Sequence, residues 1–102
     1  MDTVNSYRDL KVWQRAMGLI VLVYDLSRGF PKEEQFGLTS QIRRASISIA
    51  ANIAEGYGRS TTGFYLSFLR IAQGSLKEVE THLILAGRVS ICSEAKTSPI
   101  LA

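Results

Sequence analysis

The sequence is poor in the residues from which enzymatic and metal sites are usually built. Among 102 residues it has one cysteine, one histidine and two prolines. A lone cysteine, Cys92, cannot form an internal disulfide and is typical of a reducing compartment. Metal ions need several ligands at a recognisable spacing, which the sequence does not offer. We therefore expect no metal, no cofactor and a cytoplasmic location.

The sequence also lacks a long apolar run. Its longest, AMGLIVLVY at residues 16–24, is too short to span a bilayer, and the amino-terminal segment MDTVNSYRDL contains no apolar signal core. The pattern predicts a soluble protein without a membrane partner.

Catalytic residues are equally scarce. His82 follows Glu78 by four residues, but a general base needs a nucleophile or a positioned water, and neither is evident in the sequence. A hydrogen-bonded histidine at the edge of a helical core accounts better for His82. We expect no catalytic site and no enzyme, and His82 with Glu78 are the only candidates for the contrary hypothesis.

No segment alternates apolar and polar residues for long enough to predict a strand, so the fold class is all-α. Apolar residues at helical spacing predict helices over about residues 9–27, 38–56 and 61–87 in a single domain, 1–102. Asp9 is expected to cap the first helix, and Ser60 or Thr61 the third. The second should end at Gly56 or Gly58 in a left-handed conformation. Short connections favour an antiparallel up-down bundle.

The third helix has the longest apolar pattern. Its predicted core side begins with Phe64 and includes Phe68, Ile71 and Val79. The tail after it, residues 89–102, shows no sustained stripe and contains a proline, so we expect irregular structure there.

Two apolar faces are predicted on the second helix. Leu38, Ile42 and Ile49 lie on one stripe, and smaller side chains lie on the opposite side. The second half of the first helix is apolar nearly all round, which suggests burial against a neighbouring subunit. The expected oligomer interface contains Leu19, Leu22, Leu26, Ile47, Ala50, Ala51 and Ala54.

Basic residues are concentrated in the middle of the chain. The net charge is +3, and residues 38–88 hold six basic and three acidic side chains. A modest positive excess is compatible with binding to a polyanion, and Arg70, Lys77 and Arg88 fall on one side of the third helix. Solvated surface positions and ion pairs at helix or subunit contacts are the alternatives. The candidate nucleic-acid-binding residues are Arg43, Arg44, Arg59, Arg70, Lys77 and Arg88.

Three segments resemble a known family. They are YRDLKVWQRAM, FPKEEQFGLTSQIRRASISIAANIAEGYGR and FLRIAQGSLKEVETHLILAGR, which together cover most of residues 7–88. The sequence resembles the four-helix bundle protein family that is encoded in intervening sequences of 23S ribosomal RNA genes. It is also similar to the accessory variability determinant of diversity-generating retroelements. Positions matching the family motifs are Arg43, Arg44, Asn52, Glu55, Gly56, Gly58, Arg59, Glu78, Glu80 and Thr81.

The resemblance implies an antiparallel four-helix bundle that forms a ring-like homo-pentamer. For the retroelement relatives it also implies a basic surface that binds nucleic acid and a reverse transcriptase. Two positions depart from the pattern. Relatives commonly carry proline where this chain has Ala50, and they continue into a fourth helix where this chain has VSICSEAKTSPILA. We expect the fourth helix to be truncated or aberrant.

The leading functional hypothesis is a non-enzymatic helical bundle that self-associates and binds RNA or DNA through basic residues. The alternative is a protein-interaction or oligomeric scaffold without a nucleic-acid role, in which the same arginines contact other subunits or partners. Charge removal would weaken nucleic-acid binding in the first case and dissociate the oligomer in the second.

Overall fold

A computed structural model of the chain describes residues 4–59 and 61–101. It contains four α-helices, in the order α1 Lys11–Ser27, α2 Leu38–Tyr57, α3 Thr62–Arg88 and α4 Glu94–Leu101. Single 3-10 turns precede α1 and α2, and this described part of the chain contains no strand. The all-α prediction is confirmed.

The second helix lies between α1 and α3 and packs against both. Ser48 pairs with Ser75, while Gly56, further along α2, approaches Phe68, earlier in α3. Because the residue numbers increase along α2 while those of their partners in α3 decrease, α2 and α3 are antiparallel. The core between the helices includes Ile42, Ile53, Val79 and Leu83, all nearly inaccessible to solvent. Short connections thus give the expected up-down arrangement.

Two of the predicted helix starts can be compared with the structure. Thr61 caps α3, because its hydroxyl accepts a hydrogen bond from the Phe64 amide at 3.2 Å. Ser60, the other candidate, lies outside the described residues. Asp9 does not cap α1: its carboxylate accepts from the amides of Asn5 and Ser6 and closes the preceding 3-10 turn. The first helix therefore begins later, at Lys11.

Gly56 is needed for the close contact of α2 with α3, not for a left-handed turn. A Cβ atom placed on Gly56 would lie 2.5 Å from Phe68 Cβ and 3.2 Å from Tyr65 Cδ1. Gly58, at the helix end, has φ −74° and ψ −6°, in the right-handed region. The prediction of a left-handed glycine at the end of α2 is therefore wrong.

A left-handed residue does occur at the end of α3, and it is Ser90, with φ 62°. Its amide donates to the Gly87 carbonyl, and the Ile91 amide donates to the Ala86 carbonyl at 2.9 Å. These two bonds form a Schellman motif, in which glycine is the usual residue at the Ser90 position. They end α3 and reverse the chain into α4.

The tail departs from the irregular structure that its sequence predicts. Glu94–Leu101 forms a helix of eight residues with Pro99 inside it. It packs against α3 and α1 and buries Thr97. The bundle is thus of the four-helix type with a short fourth helix, as expected for the fold.

The third helix buries fewer residues than its pattern predicts. Val79 and Leu83 are fully buried, but Phe64 and Ile71 remain 58% and 52% exposed, so their expected core positions are wrong. Their stripe lies at the edge of the predicted face, where no helix in the described part of the chain covers it. None of the helices in residues 4–59 and 61–101 has the length and hydropathy to cross a membrane.

The Gly56 contact gives a test of the packing. We expect Gly56→Ala to lower the free energy of unfolding by roughly 1–3 kcal/mol, because the new methyl group overpacks the Phe68 contact. Gly58→Ala is the matched control, since its Cβ would meet only ordinary contacts, with Glu55 O at 3.5 Å. Urea unfolding followed by circular dichroism measures both. Equal stability of the two variants would contradict the close-contact role of Gly56.

Candidate functional site

Arg43 is held inside the protomer by the end of α1. Its Nε–H donates to Ser27 Oγ at 2.8 Å, and its guanidinium lies 4.4 Å from the centre of the Tyr24 ring. Ser27 is buried and its hydroxyl donates to the Tyr24 carbonyl at 3.3 Å, so the three residues form one cluster. A guanidinium used this way joins α1 to α2. The Arg43 guanidinium is therefore engaged within the chain itself, and its assignment to a nucleic-acid-binding surface stays a prediction.

Arg59 lies at the turn between α2 and α3. Its Nη2 is 3.0 Å from Glu55 Oε1, and its guanidinium is 5.2 Å from the centre of the Phe68 ring. Both charged side chains are about half exposed, so the ion pair contributes little stability. The two partners reduce the positive field that Arg59 can offer to a phosphate.

Arg70, Lys77 and Arg88 are exposed along α3, as their spacing predicts. Lys77 approaches Glu80 at 3.5 Å, while neither arginine forms an ion pair among the residues that the structure describes. At 1.5 Å per residue, Arg70 and Lys77 are about 10 Å apart along the helix. We call this line of three exposed side chains the α3 basic line.

Arg44 belongs to a different surface, a polar cleft of about 480 Å³ between α2 and α3. The Ser75 hydroxyl donates to Ser48 Oγ at 2.9 Å across this cleft. Glu78 lines the α3 side of the cleft, and Arg44 lines the α2 side. The serine pair joins the two helices where neither offers a large apolar side chain. The six predicted basic residues are thus divided among the protomer interior, the α2–α3 turn, this cleft and the α3 basic line.

The structure also shows the surroundings of the two candidate reactive side chains, His82 and Cys92. His82 Nε2 lies 3.2 Å from Glu78 Oε2, one helical turn away, and only 12% of the His82 side chain is exposed. Burial raises the pKa of the Cys92 thiol, and nearby Lys96 partly opposes that effect. The thiol is therefore protonated at neutral pH and weakly nucleophilic. In residues 4–59 and 61–101, His, Cys, Asp and Glu form no group of three that could hold a metal ion.

The small-residue face of α2 meets α1 only in part. Ala50 is buried and Ala54 half-buried, which makes them packing residues of the protomer, while Ile47 and Ala51 remain exposed. A shallow apolar depression of about 320 Å³ lies here. We call this surface the α1/α2 face, and it is lined by Tyr7, Trp13, Met17, Ile20, Ile47, Ala50, Ala51 and Ala54.

The three leucines predicted for the oligomer interface have different environments. Leu19 and Leu26 are partly buried and pack against the hydrophobic core, while Leu22 is 50% exposed. The placement of these three leucines on a subunit contact stays a prediction.

A second apolar depression lies between α1 and α3, and we call it the α1/α3 groove. Val12, Leu66 and Leu76 at this groove are 48%, 47% and 36% exposed. Leu69 and Leu76 lie on the apolar side of α3 that helical spacing predicts, whereas Leu66 lies outside it.

Neighbouring arginines on α2 allow a test of the Arg43 cluster. We expect Arg43→Ala to lower the free energy of unfolding by roughly 2 kcal/mol, because it removes a charged hydrogen bond and a cation–π contact. Arg44→Ala should change it by less than about 0.5 kcal/mol, since Arg44 is exposed. Thermal and urea unfolding of the two variants check this. A larger loss for Arg44→Ala would contradict the assignment.

The geometry thus consists of apolar and basic surfaces on a helical bundle. Residues 8–102 match the family described as 23S rRNA-intervening sequence protein. Comparison with curated proteins gives no match. The matched region includes all four helices and nearly the whole chain. The chain therefore belongs to the family of 23S rRNA-intervening sequence proteins.

Proposed function

We propose that this protein is a non-enzymatic helical scaffold that self-associates through the α1/α2 face. The observation that carries the proposal is the exposure of Ile47, at 43%, within a depression lined almost entirely by apolar side chains. Met17 on the α1 side is 40% exposed. Apolar surface of this kind is costly in water and is a common mark of a protein interface.

The small side chains of this face favour a helix as the contacting element. Ala51 and Ala54 let a second backbone come close, and Ile47 supplies a larger side chain to fit between its residues. A symmetric contact would place α1 and α2 of one protomer against the same surface or a neighbouring surface of the next. Both geometries cover apolar area that one protomer leaves exposed.

The resemblance to retroelement accessory proteins adds finer expectations. A ring of five protomers and a reverse transcriptase partner belong to that resemblance, and both remain predictions for this chain. A ring needs a contact between two different surfaces of each protomer, whereas a dimer can use one surface twice. The measured mass distinguishes these assemblies.

A charge placed in the α1/α2 face tests self-association. By size-exclusion chromatography with light scattering, we expect the wild-type protein to have at least twice the single-chain mass of 11.3 kDa. Ile47→Glu should shift it toward the single-chain mass, since a buried unpaired carboxylate opposes association. Ile71→Glu is the matched control, as Ile71 is 52% exposed on α3. A monomeric wild-type protein, or equal dissociation by both variants, would overturn the proposal.

Nucleic-acid binding is the second candidate function, and the α3 basic line favours it. Arg70 and Arg88 are exposed and lack a carboxylate partner among the described residues, so their charges are available to phosphates. Arginine suits this role because its planar group can bind two phosphate oxygens. Self-association would repeat the line on every protomer and increase the avidity of weak contacts.

The salt dependence of RNA binding tests this candidate. We expect the affinity for a single-stranded RNA to fall steeply with salt, and Arg70→Ala with Lys77→Ala to reduce the logarithmic slope by about 1 per lost contact. Arg28→Ala with Lys32→Ala removes the same charge elsewhere and should change the slope less. Fluorescence anisotropy at several salt concentrations measures the affinities from which the slope is obtained. Absent or salt-independent binding would leave the scaffold as the sole function.

A further inference from the structure

The α1/α3 groove is an elongated apolar surface of about 440 Å³ at the end of the bundle where α1 and α3 begin. Ile49 and Ile53 of α2 form its floor, Val12 forms the α1 wall, and Leu66 and Leu76 belong to the α3 wall. The ten helical steps from Leu66 to Leu76 correspond to about 15 Å of helix. A helix of about three turns matches that length.

The gap between α1 and α3 already holds a helix in its far half. The end of α4, at Ile100 and Leu101, lines a separate depression of about 240 Å³ together with Leu19 of α1 and Leu83 of α3. Leu76 lines both this depression and the open half, so the two are neighbours along α3. Gly87 of α3 lets α4 approach closely, since a Cβ there would lie 3.0 Å from Glu94 Cγ. The seating of α4 shows that the gap between α1 and α3 accepts a helix.

Basic side chains predominate near the open half. Residues 11–24 of α1 and 62–77 of α3 contain four basic side chains and no acidic one. Among them Arg70 lines the groove, and Arg15 lies three residues after Val12 and four before Leu19, on the same side of α1. Lys11 and Lys77 do not line it, and Lys77 is paired with Glu80, which lines the neighbouring depression. An apolar floor with positive edges complements a helix with an apolar stripe and negative edges.

We propose that the open half of the α1/α3 groove binds an amphipathic helix from another protein, whose apolar stripe covers Val12, Leu66 and Leu76 and whose acidic flanks pair with Arg15 and Arg70. This binding goes beyond self-association, because the groove is lined by Val12 of α1, which lies about 100° around the helix from Trp13, Met17 and Ile20 of the α1/α2 face. Helix-in-groove recognition uses anchors at i, i+3 or i+4 and i+7 of the bound helix.

Other occupants fit these features less well. None of the four helices of this chain carries more acidic than basic side chains, so a second copy would bring like charges to the groove edges. An RNA strand would satisfy Arg70 but would leave the exposed Val12, Leu66 and Leu76 side chains uncovered. The acidic amphipathic helix is the one occupant that matches both the floor and the edges.

Two synthetic peptides test the proposal on the full-length protein. Both are 14-residue helices with one leucine stripe, flanked by glutamates in the first and by lysines in the second. We expect the glutamate peptide to bind more tightly. Arg70→Glu should weaken the glutamate peptide about tenfold and strengthen the lysine peptide. Arg28→Glu, the same change at the far end of α1, should alter neither affinity.

A second pair of variants tests the apolar floor. Leu66→Gln should weaken both peptides, whereas Phe64→Gln, which changes an exposed side chain on another side of α3, should weaken neither. Calorimetry gives the affinities, and circular dichroism checks that each variant is folded. Equal binding of both peptides, no binding of the glutamate peptide, or its displacement by single-stranded RNA would overturn the proposal.

The mass of the protein during the titration separates this proposal from self-association. If the glutamate peptide binds while the mass of the oligomer stays constant, the groove and the α1/α2 face act independently. Dissociation of the oligomer by the peptide would show that a second copy occupies the groove and would overturn the acidic-helix proposal. If the protein is monomeric and still binds the peptide, the self-association proposal is contradicted but the groove proposal is not.

Discussion

The contact of α2 with α3 at Gly56 is the constraint on which the rest of the bundle depends. With Phe68 this close to the α2 backbone, the register of the two antiparallel helices is set, and Ser48 meets Ser75 two turns further along. The α2 helix then has one side against α3 and one against α1, where the Arg43 cluster joins it. Because α1 and α3 are both fixed to α2, the gap between them has a defined width.

Long periodic segments were predictable because a helix must bury a continuous stripe. The second and third helices, predicted at residues 38–56 and 61–87, occur at Leu38–Tyr57 and Thr62–Arg88. The helix in the tail was not predicted, because a helix as short as α4 buries too few residues to show a repeat in the sequence. Arg43 and Arg44 illustrate another limit: the crossing of α1 over α2, which no local pattern contains, decides which guanidinium meets Tyr24.

Several polar side chains of this bundle are engaged within the chain itself. Ser27, Arg43, Ser48 and Asn52 are all used in holding helices together or in bonding to their own backbone. The exposed surfaces of the described residues include apolar area around α1 and positive charge along α3. Arg70 belongs to both the α1/α3 groove and the α3 basic line, so these two surfaces meet at that residue.

The short length of α4 has a consequence for the order of folding. An isolated helix of this size is unstable in water, and Pro99 removes one amide donor from it. Ser90 at the preceding turn adds a backbone cost that glycine would avoid. The segment therefore gains its order from contact with α1 and α3 alone. We expect these helices to assemble first and α4 to dock onto them late, as a template-dependent element of the fold.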